Sequence, residues 1–540
     1  MRKIAQTKSF KNLIDSDCIY IDKTEQIFNL LQTDRIFISR PRRFGKSLML
    51  DTIGTLFESG VDPYFRNTWI YDKWTDSKYP VLRFDFLKYT EDYKEFANLF
   101  CKNVRLFARK LDITDSITAK PSPVEVMFDL LKALNEHGIR IVILIDEYDS
   151  QLAANINDPE LYEKFRIQLR NLYGVMKDDP SIRFLGITGV TRLKDVSIFS
   201  AGSDIKDLSY YKPVSTIAGF TREEIRKYYT DYIDLAVSLE KGKPQEQVTG
   251  SERDELLDRL SEEYDGYCFD SFYENKVFST WSVINFFKET AETRMMVFRN
   301  YWYDNGGMPT VLAKYLETHS IRLEDYAGDI DVGFSDFWDP SSLLDMRQEV
   351  LMCQIGYLTV KSPVPDGNQV TIGIPNKEVR RSFEKILVRR IFVRADFSRI
   401  RNERLFSEAS PADIVQRLNE LFNTISYENY QHIDEKTIQG MLHAYFIGAD
   451  QPVRTEVQSA AGRSDIILEY DSRRLVLELK YAGSEADCGR KLSEAVGQIK
   501  ARKYGDTLPR KPVLKLALVF NGDSSVRQFT HYEEVKDQVE

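Results

Sequence analysis

The sequence predicts an α/β protein of 540 residues, and three observations carry that prediction. Over residues 1–215, short apolar runs rich in β-branched residues alternate with helical stretches. Over residues 216–385 the texture turns helical and aromatic. Over residues 386–540 a helical stretch leads into a second α/β pattern, which begins near residue 430. Three domains with those boundaries are expected.

The strand signals of the first region are Arg35–Ser39, Pro80–Phe86, Ile139–Asp146 and Ile182–Gly189. Nearly continuous apolar runs suit strands of a parallel sheet covered on both faces. Helices fit between them, such as Pro123–Gly138 with its terminal glycine. In the middle region, "LMCQIGYLTVKS" and "NQVTIGIP" read as a hairpin across Pro363–Asn368, where Asp-Gly favours a turn. The rest of that region reads as a mostly helical lid or linker, whose aromatics are expected in the core. "PADIVQRLNELFNTI" predicts a further helix.

Net charge is −9, so any nucleic-acid contact must come from local basic patches. The five cysteines are far apart with no CxxC pair, and the five histidines form no ligand-spaced cluster. This pattern excludes a disulfide framework and a zinc ribbon, and fits a reducing cytoplasm. The N-terminus lacks the apolar core of a signal peptide, and no apolar run approaches the ~18 residues a membrane span needs. A cytoplasmic protein without membrane contact is expected.

Between the first strand and the next helix lies "SRPRRFGKSLML". A phosphate-binding loop needs a buried strand, a turn whose N–H groups wrap phosphate, and a helix N-terminus facing it. Gly45 permits close backbone approach, Lys46 brings an ammonium to the β/γ-phosphates, and Ser47 offers a hydroxyl to Mg²⁺. Arg40, however, occupies the first glycine position of G-x-x-x-x-G-K-[ST]. Alone, the motif fits a nucleotide turn or a basic loop equally well. The strand "IVILIDEYDS" decides for nucleotide, because it ends in Asp146 and Glu147. An acid there holds Mg²⁺ and its neighbour can activate the attacking water.

These residues resemble the bacterial and archaeal AAA-like P-loop ATPases whose loop reads Arg-Pro-Arg-Arg-Phe-Gly-Lys-Ser, often joined to a C-terminal domain of the PD-(D/E)XK nuclease superfamily. The similarity runs through "YIDKTEQI", "ISRPRRFGKSL", "LIDEYDS", Ile187–Ser209, "YDGYCF" and "QIGYLTV". It implies an ATP site formed by Arg40, Pro41, Arg42, Arg43, Phe44, Gly45, Lys46, Ser47 and Asp146. It also implies a polar sensor at Thr188, with Arg42, Arg43 and Arg192 as candidates to offset charge on the transferred phosphoryl group.

Near the C-terminus, "DIILEY" and "RLVLELKY" read as two strands joined at Asp471-Ser472. Centred there, the hairpin sets Asp465 opposite Glu478, with Lys480 on the same face. Two carboxylates and a lysine on one face make a plausible Mg²⁺ site, to which Glu456 could add a ligand. Glu-x-Lys on a strand is also common as a solvated face. The combination Gly462–Asp465, Glu478–Lys480 and "AVGQIKARKYG" with Gln498 resembles the PD-(D/E)XK core, a restriction-endonuclease-like fold. One departure is Gln439, four residues before His443, where that core often carries a glutamate.

The expectation is therefore ATP binding and hydrolysis, with Lys46, Ser47, Asp146 and Glu147 as the working residues. It is coupled to Mg²⁺-dependent cleavage of nucleic acid, DNA foremost, by Asp465, Glu478 and Lys480. The alternative is a nucleotide switch whose C-terminal domain binds DNA or a partner without cutting. A homo-oligomer is compatible with either.

Overall fold

The computed structural model describes all residues except 194–203, 271, 305–307, 320–327, 334–342, 344–345, 364–367, 392–396, 426–433, 450, 455–465, 503–510 and 537–540. Two compact units divide the chain, Met1–Arg380 and Arg381–Glu540. The regions 1–215 and 216–380 fall together in the first.

The first unit is built on a five-stranded parallel sheet. Its strands are β1 (Arg35–Ser39), β2 (Val81–Asp85), β3 (Ile141–Asp146), β4 (Ile182–Gly189) and β5 (Lys206–Asp207), in the spatial order β2-β3-β4-β1-β5. Every residue of β3 is buried, as its unbroken apolar run requires in a sheet covered on both faces. The helix Pro123–Glu136 starts with proline after Ser122, whose side chain accepts from the Glu125 N–H, and gives way at Gly138 with φ +65°.

Beyond the sheet, helices Arg222–Tyr228 and Gly250–Tyr264 each open with a capping box, Thr221 with Glu224 and Thr249 with Glu252. Tyr229, Tyr232, Tyr264, Phe286 and Phe287 pack into one apolar core there, so these aromatics serve packing. β6 (Tyr267–Cys268) pairs with β7 (Lys276–Val277). β8 (Ile330–Gly333), β9 (Thr359–Pro363) and β10 (Gln369–Gly373) form an antiparallel sheet in the order β8-β10-β9. The expected hairpin is present as β9 and β10, but its first strand is shorter than expected. Residues Gln348–Gln354 are helical, because Val350, Leu351 and Met352 are all buried and Gly356, at φ +90°, breaks the helix before the strand starts.

The second unit holds β11 (Val453–Arg454), β12 (Ile466–Glu469), β13 (Arg474–Ala482), β14 (Val513–Asn521) and β15 (Gln528–Glu534), adjacent in that order. β13 and β14 are parallel, and the helix Glu485–Arg502 forms their crossover. Helices Pro411–Phe422, capped by Ser410 and Asp413, and Glu435–Gly448 precede the sheet. Among the described residues no helix is long and apolar enough to cross a membrane. All five cysteines are free and buried.

Candidate functional site

Register brings the nucleotide-type residues together. Ile38 of β1 lies opposite Thr188 of β4, and Ile145 of β3 lies opposite Ile187, so Thr188 emerges between the loop strand and the acid strand. Its hydroxyl donates to Asp146 Oδ1 at 2.6 Å, and the Ser47 hydroxyl donates to Asp146 Oδ2 at 2.5 Å. Lys46 caps the carbonyls of Arg40 (2.9 Å) and Pro41 (3.3 Å) and lies 3.3 Å from Glu147 Oε1. Glu147 has φ +53°, an uncommon region for a side chain of this size. Burial pushes its carboxyl above the usual carboxylate range, against the pull of Lys46.

The turn itself is shaped from outside. Arg43 and Gly45 take positive φ, +73° and +93°. The Arg43 carbonyl accepts from Thr280 Oγ1 and the Trp281 N–H, and the Phe44 carbonyl accepts from the Gly219 N–H. With these carbonyls satisfied outward, no protein acceptor among the described residues takes the N–H groups of Arg42 through Ser47. A run of free amides beside a buried ammonium fits a polyphosphate. The Ser47 hydroxyl and the Asp146 carboxylate are hard oxygen donors that fit Mg²⁺. The loop lines a cavity of about 510 Å³ that also has Ile19, Ile21, Phe220, Tyr229 and Trp281 in its wall.

The arginines separate by role. Arg40 is 1% exposed and donates to the carbonyls of Ser39 (2.8 Å), Ser209 (2.5 Å) and Ser215 (3.4 Å), with its guanidinium 4.3 Å from the centre of the Phe269 ring. It fastens the loop to the chain after β5. Arg43 donates to the carbonyls of Tyr301 (2.6 Å) and Trp302 (2.5 Å), and Arg192 pairs with Asp207. Arg40 and Arg192 line a separate small cleft with Ser39, Tyr210 and Phe269, not the loop cavity. Arg42 lines the loop cavity beside Lys46 and Glu147, and no acidic partner holds it among the described residues. Pro41 and Phe44 are buried, Phe44 against Tyr267, Phe269 and Trp302.

Asp149 was not singled out by sequence reasoning. Buried, it accepts from the N–H groups of Val190 (3.2 Å) and Thr191 (2.6 Å), fixing the turn that leaves Thr188. A Cβ on Gly189 would meet Tyr148 Cδ1 at 2.4 Å, so the strand end needs glycine.

In the second unit the β12–β13 ladder pairs Ile466 with Leu477 and Glu469 with Arg474, a tight hairpin around Asp471-Ser472. Glu456 and Asp465 lie outside the described residues. Glu478 is 1% exposed and Lys480 8%, and the ammonium lies 3.9 Å from Glu478 Oε1. Val476 and Ala482, the same-parity neighbours of these two, pack against the helix Glu485–Arg502. On that helix Gln498 has a buried Oε1 with no hydrogen-bond partner among the described residues.

Glu435 is a second residue that sequence reasoning missed. Its Oε1 accepts from Lys480 Nζ at 2.8 Å, and its Oε2 accepts from the Tyr481 N–H at 3.4 Å. It stands one helical turn before Gln439 and two before His443, so an acid is present on that stripe after all, four residues earlier than expected. The signal available was this i, i+4, i+8 spacing.

Comparison with known proteins finds a family match in each unit. Residues 5–199 match a family model described as a predicted AAA-ATPase, and residues 433–530 match one described as the PD-(D/E)XK nuclease superfamily. A protein of Azotobacter chroococcum mcd 1, described as an uncharacterized protein in the vnfD 5' region, is 27% identical over 527 residues, 94% of each chain. Among solved structures, the Aeropyrum pernix Orc1 protein in complex with DNA aligns at 9% identity and TM-score 0.27, covering 71% of this chain and 98% of that one. Cdc6p from Pyrobaculum aerophilum aligns at 10% identity and TM-score 0.23, covering 68% and 92%. The chain thus matches an AAA-ATPase-like domain toward its N-terminus and a domain of the PD-(D/E)XK nuclease superfamily toward its C-terminus.

Proposed function

We propose that the protein hydrolyses ATP in its first unit and cleaves nucleic acid, DNA foremost, in its second, each with Mg²⁺. The observation that carries the first half is the double hydroxyl clamp on Asp146, from Ser47 and Thr188, beside the free amides of the loop. Those amides and Lys46 would cradle the β- and γ-phosphates, and the apolar residues of the same cavity would take the base. Ser47 and Asp146 would hold Mg²⁺, which would supply a Lewis acid for the phosphate oxygens. Glu147 takes a proton from the attacking water as the bond from the γ-phosphorus to the bridging oxygen breaks, releasing ADP and phosphate. Arg42 offsets charge on the transferred group.

In the second unit, Glu478 and Asp465 would hold Mg²⁺, and Lys480 would position the water that attacks the phosphodiester. Glu435 is placed to hold Lys480 in position. Gln439 favours a second reading, in which nucleotide state switches a C-terminal domain that grips DNA or a partner without cutting it. Lys46→Ala is the test of the ATPase half: phosphate release should fall at least about 100-fold, the loss typical of one strong charge-stabilising group. Turnover equal to wild type would remove the loop from the reaction.

A further inference from the structure

We infer that the second unit binds a transition-metal cation of the Zn²⁺ type through Glu485, Cys488 and His531, at a site separate from Glu478 and Lys480. One ligand atom from each residue lies within 4.8 Å of the others.

The fold explains the convergence. Glu485 and Cys488 are three apart at the start of the helix Glu485–Arg502, and so share a face. Cys488 packs on Val519 of β14, and Val519 lies directly opposite His531 of β15. Opposed residues share a sheet face, which brings the imidazole to the thiol. Glu485 Oε1 is 3.8 Å from His531 Nε2.

Surrounding groups aim these ligands. Asn521 Nδ2 donates to Glu485 Oε2 at 2.6 Å, which turns Oε1 toward the histidine. The Thr530 hydroxyl lies 2.9 Å from His531 Nδ1. With Nδ1–H donating to that hydroxyl, the Nε2 lone pair is left for a metal. Such partners are the usual means by which a protein fixes the tautomer and direction of its metal ligands.

The donor set selects the ion. A thiolate, an imidazole and a carboxylate suit Zn²⁺ and its neighbours, whereas Mg²⁺ takes oxygen ligands. Tetrahedral zinc holds its ligand atoms roughly 3.3–3.8 Å apart, so side-chain rotation from the present spacing suffices. Binding forms a bond from sulfur to the metal and releases the Cys488 proton to solvent. Thiolate and carboxylate balance the dication, and a fourth position stays open to water. A bound ion would tie the first turn of the helix to β15.

The test uses the full chain, stripped with chelator, dialysed and titrated with Co²⁺ alone. One equivalent should build a thiolate-to-cobalt charge-transfer band that Zn²⁺ then abolishes. Cys488→Ser should remove the band, and His531→Ala should weaken Co²⁺ binding by at least the roughly 10-fold that even loss of a ligand's supporting partner costs. Glu478→Ala should leave the band intact, since that residue belongs to the other site. Circular dichroism checks each fold. Absence of the band in the wild type, or its persistence in Cys488→Ser, overturns the site. Should Cys488→Ser fail to fold, the partly exposed His531→Ala decides, and unchanged Co²⁺ affinity there overturns it equally.

Discussion

Lys46 Nζ lies 3.3 Å from Glu147 Oε1, with both side chains nearly buried, so the loop lysine and the expected base neutralise each other before nucleotide arrives. An incoming γ-phosphate competes with Glu147 for that ammonium. Glu147→Gln should therefore bind ATP at least as tightly as wild type while its hydrolysis drops about 10²- to 10⁴-fold, the range for losing a general base. A fluorescent ATP analogue and phosphate release measure the two effects. Parallel loss of binding and turnover would assign Glu147 to holding nucleotide instead.

The same carboxyl predicts a pH profile. Its ionisation lies above the usual carboxylate range, chiefly through burial, so the base form is depleted as pH falls through that raised value. Hydrolysis should show an acid limb displaced upward from that of an ordinary glutamate. The limb should vanish from the residual activity of Glu147→Gln, and its persistence there would point to another group.

Two neighbouring arginines should respond in opposite ways. Removing Arg40 orphans the buried carbonyls it serves, so Arg40→Ala should destabilise the first unit by about 2–4 kcal/mol. Arg40→Lys should rescue little, because an ammonium cannot reproduce the planar fork. Arg42→Ala should lower ATP turnover at unchanged melting temperature. Thermal melts beside steady-state rates separate the two, and matched behaviour of both variants would contradict the assignment.

Asp265 supplies a stability test. Burial pushes its carboxyl up to about 6 from 3.8, and its Oδ1 has no hydrogen-bond partner among the described residues. Between those values the folded chain holds a proton that the unfolded chain has lost, so stability falls as pH rises through the window. The full effect is on the order of 3 kcal/mol. In Asp265→Asn this contribution should be absent, and the variant should exceed wild type in stability at pH ~7 by a similar amount. Urea midpoints across the window check it; a parallel slope in both proteins would mean the carboxyl ionises normally in the fold.

Glu435→Gln should reduce cleavage about 10-fold or more by loosening Lys480, in the manner of groups that orient a site's working residues. A rise in the Mg²⁺ concentration needed for half-maximal rate should stay small, since Glu435 acts on the lysine. A large rise would make it a metal ligand.

Strands β1 to β4, β12 and β13 were legible because each is a short run rich in Val, Ile, Leu and Phe, and the 471–472 turn fixed the hairpin register by simple symmetry; two-residue strands such as β5 and β11 carry no such run. Ser47 and Asp146 were legible because each follows or ends a strand of a parallel sheet whose strand ends meet at one edge, and Thr188 came from the family resemblance. The arginines were not. Arg40, Arg42 and Arg43 look alike in sequence, and what separates them is backbone carbonyls more than 150 residues away at Ser209, Ser215, Tyr301 and Trp302. Glu435 shares a helical stripe with Gln439 and His443, but its link to Lys480, 45 residues away, has no local pattern to reveal it. The strand before Gly356 was misjudged because a short buried helix and a buried strand share an apolar run.

The most direct measurement is cleavage of linear and circular DNA by the full chain with Mg²⁺, with and without ATP, comparing wild type with Glu478→Ala and Lys46→Ala. Cutting by wild type that Glu478→Ala loses entirely and that Lys46→Ala no longer adjusts to ATP is the predicted result. Equal cutting by wild type and Glu478→Ala, or none by either at any nucleotide or metal concentration, would contradict a nuclease in the second unit.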